Sequence, residues 1–248
     1  GSLSAVNMQL RMLIGNAYGI PAQLWRFTIA GGPEDLLNAP FDIQARLPDT
    51  TPEGQHFPML RALLAERFNL RVHQEARPTP IYALTFARED RRFGSDLRPS
   101  SIDCNEERER SRRIGQPFTA ETAPRDGKGR PVCWGTSQFG TPGAQTLTNA
   151  GPLADLVRGI QAVMDRPVTD ATDLAGTYEW QLVFASGAKE NPDLPSEFTA
   201  VQEQLGLKLE LQNITMPVIV VDRANDKPTD NLPGVTEMIP PAPTEFEV

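Results

Sequence analysis

Two carboxylates, Asp42 and Glu179, stand 137 residues apart at matching places in two similar stretches, "PFDIQARL" and "TYEWQLVF". If a duplicated fold brought them together, such a pair would supply a general acid and a general base, the chemistry of a carboxylate-using hydrolase. His73 is the third candidate. It belongs to a row of Arg71, His73 and Glu75 alternating with Leu70 and Val72, and a neighbouring carboxylate can tune an imidazole for proton transfer. The acidity of the chain argues for the plainer reading of all three. With 32 Asp and Glu against 24 Lys and Arg, carboxylates recur by composition, and a solvent-facing role is the simpler expectation.

Other residue types point to binding. Trp25 and Phe27 lie in "WRFTIAGG", and Trp134 follows Cys133; none belongs to a periodic apolar stripe. Aromatics held on loops are common binding anchors. They could equally plug the interface between two halves of the chain, and the sequence leaves both readings open.

The motifs of cofactor and nucleotide chemistry are missing. There is no Gly-x-Ser-x-Gly elbow, phosphate loop, dinucleotide fingerprint, His-Glu-x-x-His helix or calcium loop, and "AGGP" reads as a turn. No cofactor is expected. A zinc site from His56, His73 and a carboxylate such as Asp42 is required by nothing in their spacing. The net charge of -8 disfavours a nucleic-acid backbone as partner. The arginine-rich stretch from Arg88 to Arg113 holds eight arginines but seven acidic residues, which reads as a solvated, flexible segment.

Cys104 and Cys133 lie in the polar middle of the chain. Paired, they would close a loop of about 30 residues, worth roughly 3 to 4 kcal/mol in the chain-entropy model, and would suit an oxidising compartment. Two reduced surface thiols are the alternative. No apolar run is long enough to cross a bilayer, and no signal peptide opens the chain. Gly1 and Ser2 read as the remnant of a cleaved tag, so the missing leader argues little for the cytoplasm.

These residues need elements to position them. The segment Asn7 to Pro21 places Leu10, Leu13, Ile14, Ala17 and Tyr18 at helical spacing, ended by Gly19 and Pro21. A short strand is expected around Phe27 to Ile29, and a one-sided strand from Phe41 to Leu47. A helix follows in "PMLRALLAERF", then the strands "LRVHQ" and "IYALTF". The second half repeats this order with a helix in "GPLADLVRGIQAVMDRP", a strand in "GTYEWQLVFA", a helix in "EFTAVQEQL" and the stretch "LGLKLELQNITMPVIVVDR". The strands and the second helices share the 137-residue offset, and Pro80 coincides with Pro217. The match is imperfect, for Phe198 falls opposite Arg61 and Glu197 opposite Leu60, which suggests slightly rotated stripes. The leading helices align only at 146, because the first copy carries nine extra residues around "WRFTIAGG".

In order along the chain, "LIGNAYGIP", "IAGGPEDLLNAPFDIQARLP", "MLRALLAERFNLRVHQEARPTPIYAL", "LRPSSIDC", "DRPVTDATDLAGTYEWQLVF", "VQEQLGLKLELQ" and "VIVVDRANDKPTDN" resemble the DUF3738 family, also called Soli TIGR03435. Its members are secreted proteins of unknown function abundant in soil acidobacteria. The resemblance implies export to the periplasm or beyond. Fusion of some members to membrane peptidase sensors implies a sensory or ligand-binding role. It supplies no catalytic residues.

The expected fold is therefore α+β, with two pseudo-repeated units of order helix, strand, helix, strand, strand, and antiparallel or mixed sheets covered by helices. The first repeat spans 1–90 and the second 150–230. An irregular connector tied by Cys104–Cys133 covers 91–149, and an extended acidic, proline-rich tail covers 231–248. The leading functional expectation is an extracytoplasmic, non-enzymatic binding or sensory module for a protein, peptide or glycan. A hydrolase using carboxylates in a cleft between the repeats, and a structural envelope protein, are the alternatives.

Overall fold

The computed structural model describes residues 2–46, 52, 54–119, 121–133, 135–137, 143–185 and 191–231. The fold is α+β. In chain order it runs β1 (Ser2–Gln9), α1 (Leu10–Ala17), α2 (Trp25–Thr28), β2 (Ile29–Gly31), α3 (Glu34–Asn38), β3 (Pro40–Arg46), α4 (His56–Arg67) and β4 (Arg71–Phe86). Then follow β5 (Leu97–Pro99), α5 (Cys104–Arg113), β6 (Gly135–Ser137), β7 (Ala144–Pro152), α6 (Leu153–Gln161), β8 (Val168–Asp170), β9 (Thr177–Ala185), α7 (Glu197–Leu205) and β10 (Leu207–Arg223). The tail beyond Asn231 lies outside the described residues.

The repeat is present in the element order, with two corrections. A strand precedes and a three-residue strand soon follows the leading helix of each copy, and the two final strands expected in each, such as "LRVHQ" and "IYALTF", are one long strand. Each copy reads strand, helix, strand, strand, helix, strand: β1, α1, β2, β3, α4, β4, then β7, α6, β8, β9, α7, β10. Pairing repeats as well. β1 runs antiparallel to β3, and β7 antiparallel to β9. The short strand β2 pairs in parallel with β10, and β8 pairs in parallel with β4, so each copy's short strand takes the other copy's long strand as its partner. This exchange accounts for the packing. The described residues up to Pro78 form one compact unit with those from Thr215 on, while Thr79–Ile214 form the second.

In the first unit α1 and α4 cover β1 and β3. Leu10, Leu13, Ile14, Leu60 and Leu64 bury against Ala5, Ile43, Ile29, Ile219 and Val221. β3 alternates as its pattern predicts, with Ile43 buried between exposed Asp42 and Gln44. The strand expected at Phe27 is instead the single turn of α2, and the strand begins only at Ile29. A 3-10 turn at Ala22–Leu24 leads directly into that helix, and Thr28 returns its hydroxyl to the Leu24 carbonyl at 2.9 Å. Trp25 lies across α1 at Gly15, where an added methyl would fall well inside contact distance of the indole. We therefore expect Gly15→Ala to destabilise the first unit by about 1 to 3 kcal/mol through overpacking, despite the better helix propensity of alanine. Urea denaturation read by tryptophan fluorescence checks it; an unchanged midpoint would show that the ring moves freely.

In the second unit α6 and α7 lie on β7 and β9. Leu153, Leu156, Ile160, Ala200, Val201 and Leu205 pack on Leu147, Tyr178, Trp180, Leu182 and Phe184. The middle of the chain is more ordered than its composition suggests. β5 and β7 flank β9 in the sheet order β5-β9-β7-β6, and the stretch read as flexible contains α5. That helix is nearly all charged, so it has no apolar stripe to announce it. Asp103 caps it, accepting from the amides of Asn105 at 2.8 Å and Glu106 at 3.4 Å, and pairs such as Arg110–Glu107 lie along it. Cys104 and Cys133 are disulfide-bonded, with Cα atoms 5.0 Å apart. The bridge pins the helix start against Val132 and Ala150.

Candidate functional site

A cavity of about 480 Å³ opens in the first unit, a size typical of small-ligand sites. Its construction starts at the end of α1. The sequence "NAYGIP" ends that helix in a Schellman motif: the Gly19 amide donates to the Asn16 carbonyl at 3.0 Å and the Ile20 amide to the Gly15 carbonyl at 2.9 Å. Gly19 takes φ +66°, a left-handed conformation that glycine adopts without strain. The turn sets Tyr18 and Ile20 on the cavity wall, and Trp25 locks it by donating its indole N–H to the Ile20 carbonyl at 2.7 Å. The insertion peculiar to the first copy continues the wall with Pro21, Leu24 and Thr28. The long strands complete it with Val72, His73 and Gln74 from β4 and Met216, Pro217 and Ile219 from β10.

One cation faces this largely apolar enclosure. Arg61, half-buried on α4, lines the cavity and stands over the Tyr18 ring, its guanidinium carbon 5.3 Å from the centroid. Among the described residues it forms no ion pair. Burial raises the Tyr18 pKa and the Arg61 charge offsets part of that rise, so the phenol stays neutral at pH 7 and can donate. His73 is the other basic group. Its Nδ1 lies 2.8 Å from Asp222 Oδ1 and its Nε2 3.7 Å from Glu75. The hydrogen bond to Asp222 leads in raising its pKa, so any positive charge it takes up is met by that carboxylate. Arg61's is not.

The second unit shows what the same scaffold does without a cavity wall of this kind. At the 137-residue offset Phe198 stands for Arg61 and Tyr82 for Ile219. The register agrees, since Ile219 opens the pairing with β2 and Tyr82 opens the pairing with β8. Phe198 packs edge-on against Tyr82 with centroids 5.2 Å apart, and Arg166 stands 5.9 Å above the same ring. Only Ala162–Pro167 separates α6 from β8, so the inserted helix has no counterpart.

Asp42 and Glu179 occupy unlike surroundings. Asp42 is exposed on β3 and accepts the Asn7 amide at 2.7 Å, where a bulge in β1 turns Asn7 to φ +54°. Glu179 is buried on β9 opposite its cross-strand neighbour Arg98. It accepts from Arg98 Nε and from Ser100 Oγ at 2.8 Å. Trp25 and Phe27 belong to α2; Trp25 is engaged as described, and Arg26 stacks 4.5 Å over the Phe27 ring. Neither is among the cavity-lining residues. Trp134 lies outside the described residues. Among the described residues no three His, Cys, Asp or Glu side chains cluster as a metal site.

Around Glu179 the second unit builds an ion-pair lattice that the sequence analysis missed. Asp126 accepts from Arg130 Nε at 2.7 Å and from the Lys128 and Arg130 amides at 2.8 Å. Asp96 meets Lys128 Nζ at 2.8 Å and Arg130 Nη1 at 2.7 Å. Burial raises the Asp96 pKa, yet hydrogen bonds from Lys128, Ser95 and Arg130 together outweigh it and bring the group to about 2. Asp96 and Asp126, both held toward the ionised form in this way, suit structural pairing better than proton donation.

This lattice predicts an acid window. A depressed carboxylate pKa contributes stability that is complete above the unfolded value near 3.8 and is lost as pH falls through about 2. With solvent screening, Asp96 is expected to contribute about 1 to 2 kcal/mol. The stability gap between wild type and Asp96→Asn, measured by urea denaturation, should be constant above pH 5 and shrink between pH 4 and 2. A gap independent of pH would contradict the pairing.

The model of the family described as "Protein of unknown function (DUF3738)" matches residues 11–224. No curated protein and no solved structure gives a significant match. Among the described residues no helix is long and apolar enough to cross a membrane. The family match takes in α1, the insertion, α4 and both long strands, every element that lines the cavity, and the chain belongs to the DUF3738 family.

Proposed function

We propose that the protein is an extracytoplasmic, non-enzymatic binding or sensory module that receives part of a protein, peptide or glycan ligand in the cavity of its first unit. The observation that carries this reading is the contrast between the copies. The second unit holds an aromatic pair where the first, lengthened by an insertion, holds an open apolar enclosure. Duplicated scaffolds need no such asymmetry to fold, and an enclosure left open forgoes burial that an aromatic would supply. The apolar wall favours an apolar side chain of a peptide or protein over a bare sugar. The periplasmic or secreted location is supported by the Cys104–Cys133 disulfide and by the resemblance to secreted soil-acidobacterial proteins.

The test is a panel of fragments, comprising aliphatic and aromatic acids, amines, amides and monosaccharides, titrated into isotope-labelled protein. Methyl resonances of Ile20, Val72 and Ile219 should shift saturably for a subset of the panel. Shifts confined to the second unit, or none at all, would overturn the reading.

A further inference from the structure

Resting on that reading, we infer that the cavity of the first unit is an anion-anchored pocket, which takes a carboxylate carried on an apolar body and pairs it with Arg61. Four observations converge. Arg61 lines the enclosure and is half-buried, yet it forms no ion pair among the described residues. Elsewhere in the molecule half-buried arginines have a partner: Arg98 meets Glu179, Arg130 meets Asp126 and Asp96, Arg11 meets Glu34, and Arg108, without an acid, donates to the Cys133 carbonyl. A guanidinium partly withdrawn from water and left without an acid partner is costly unless something supplies the anion. The carboxylates beside the lining His73 are committed, Asp222 to His73 and Glu75 to His73 and Arg77.

The surroundings then specify the rest of the ligand. Tyr18 backs the guanidinium with a ring face and holds it in place, as a recognition arginine requires. Beyond it most of the wall is apolar, with Ile20, Leu24, Val72, Met216 and Ile219 outnumbering the polar Thr28, His73 and Gln74, which suits an aliphatic or aromatic body better than a sugar. A planar guanidinium matches a carboxylate with two parallel hydrogen bonds. The counterpart position differs as this assignment expects, because there Phe198 stands in place of the cation and packs edge-on against Tyr82. A free apolar acid and the C-terminal residue of a peptide share this chemistry.

The experiment is calorimetric titration of the intact chain with octanoate and with N-acetyl-leucyl-leucine, each against its primary amide. The acid should bind about tenfold or more tightly than its amide, one charge-assisted pair being worth at least that ratio. Arg61→Gln should erase the preference by weakening the acid alone, and Arg61→Lys should keep part of it. Preference for octanoate would name a free acid as the source, and preference for the dipeptide a peptide terminus. Equal binding of acid and amide, unaltered in Arg61→Gln, would overturn the anion inference while leaving the cavity as a binding site. If neither acid binds but other fragments still shift Ile20, Val72 and Ile219, the inference also fails alone. If nothing binds the cavity, both fall.

Discussion

Removing the disulfide, by Cys104→Ala with Cys133→Ala, is expected to destabilise the second unit by about 3 to 4 kcal/mol. The bridge closes a loop with a sequence separation of 29, and the chain-entropy model assigns a constraint of that length about this value. The folded state also depends on it locally. Cys104 opens α5, whose near absence of apolar side chains leaves it little tertiary packing of its own, and the Ala150 amide points at Cys104 Sγ at 3.0 Å. Arg108 on the same helix donates to the Cys133 carbonyl at 2.7 Å. Urea denaturation of the double variant should show the loss, and hydrogen exchange should show residues 104–118 deprotected before β7 and β9. A cost below about 1 kcal/mol, with α5 still protected, would mean that the connector is held by its packing and not by the bridge.

The second large effect is expected at the centre of the ion-pair lattice. Arg98→Ala should cost about 3 kcal/mol, within the range for breaking a buried pair from one side. The asymmetry of burial decides which partner matters more. The Glu179 side chain is 9% exposed and Arg98 38% exposed, so stripping the arginine strands a carboxylate out of water, whereas stripping the glutamate leaves a cation that solvent can still reach. Glu179→Ala should accordingly cost less, about 2 kcal/mol. Replacing both at once, as Arg98→Ala with Glu179→Ala, should cost less than the two single losses together, because no unpaired charge remains. Additive losses in that double-mutant cycle would show that the two groups do not depend on each other.

The duplication was legible because it rests on strand periodicity. Phe41 and Ile43 repeat as Tyr178 and Trp180, and alternation must survive in any strand with one covered face. The strand exchange left no such trace. Parallel pairing of β2 with β10 and of β8 with β4 is set by long-range topology, and three-residue strands carry no period of their own. β1 and β7 were missed for a related reason. "SLSAVNMQ" and "AQTLTNAGP" are mostly small and polar, with Leu3, Val6, Met8 and Leu147 as the larger apolar residues and no sustained alternation, and β7 is paired on both sides, with β9 and β6, so backbone pairing and not side-chain pattern defines it. α5 was hidden by its charge.

The candidate site was half visible. The nine extra residues of the first copy were found as an insertion, and Phe198 opposite Arg61 was found as a flaw in the repeat. Both features bear on the cavity: the insertion supplies part of its wall, and the mismatched pair places an aromatic ring in the second unit where the first has Arg61. What the sequence could not supply was the convergence of α1, α4, β4 and β10 on one enclosure. The carboxylates drew notice because their spacing was regular, and regular spacing marks the shared scaffold, whereas the cavity sits where the copies diverge.

The most direct measurement of the central claim is to fill the cavity with the residues that the second unit already uses. In Arg61→Phe with Ile219→Tyr, the edge-on pair formed by Phe198 and Tyr82 would be rebuilt in the first unit. If the cavity is the binding site, fragments that bind the wild type will lose all measurable affinity for this variant, while its second unit keeps its wild-type spectrum. Undiminished binding by the filled variant would contradict the account.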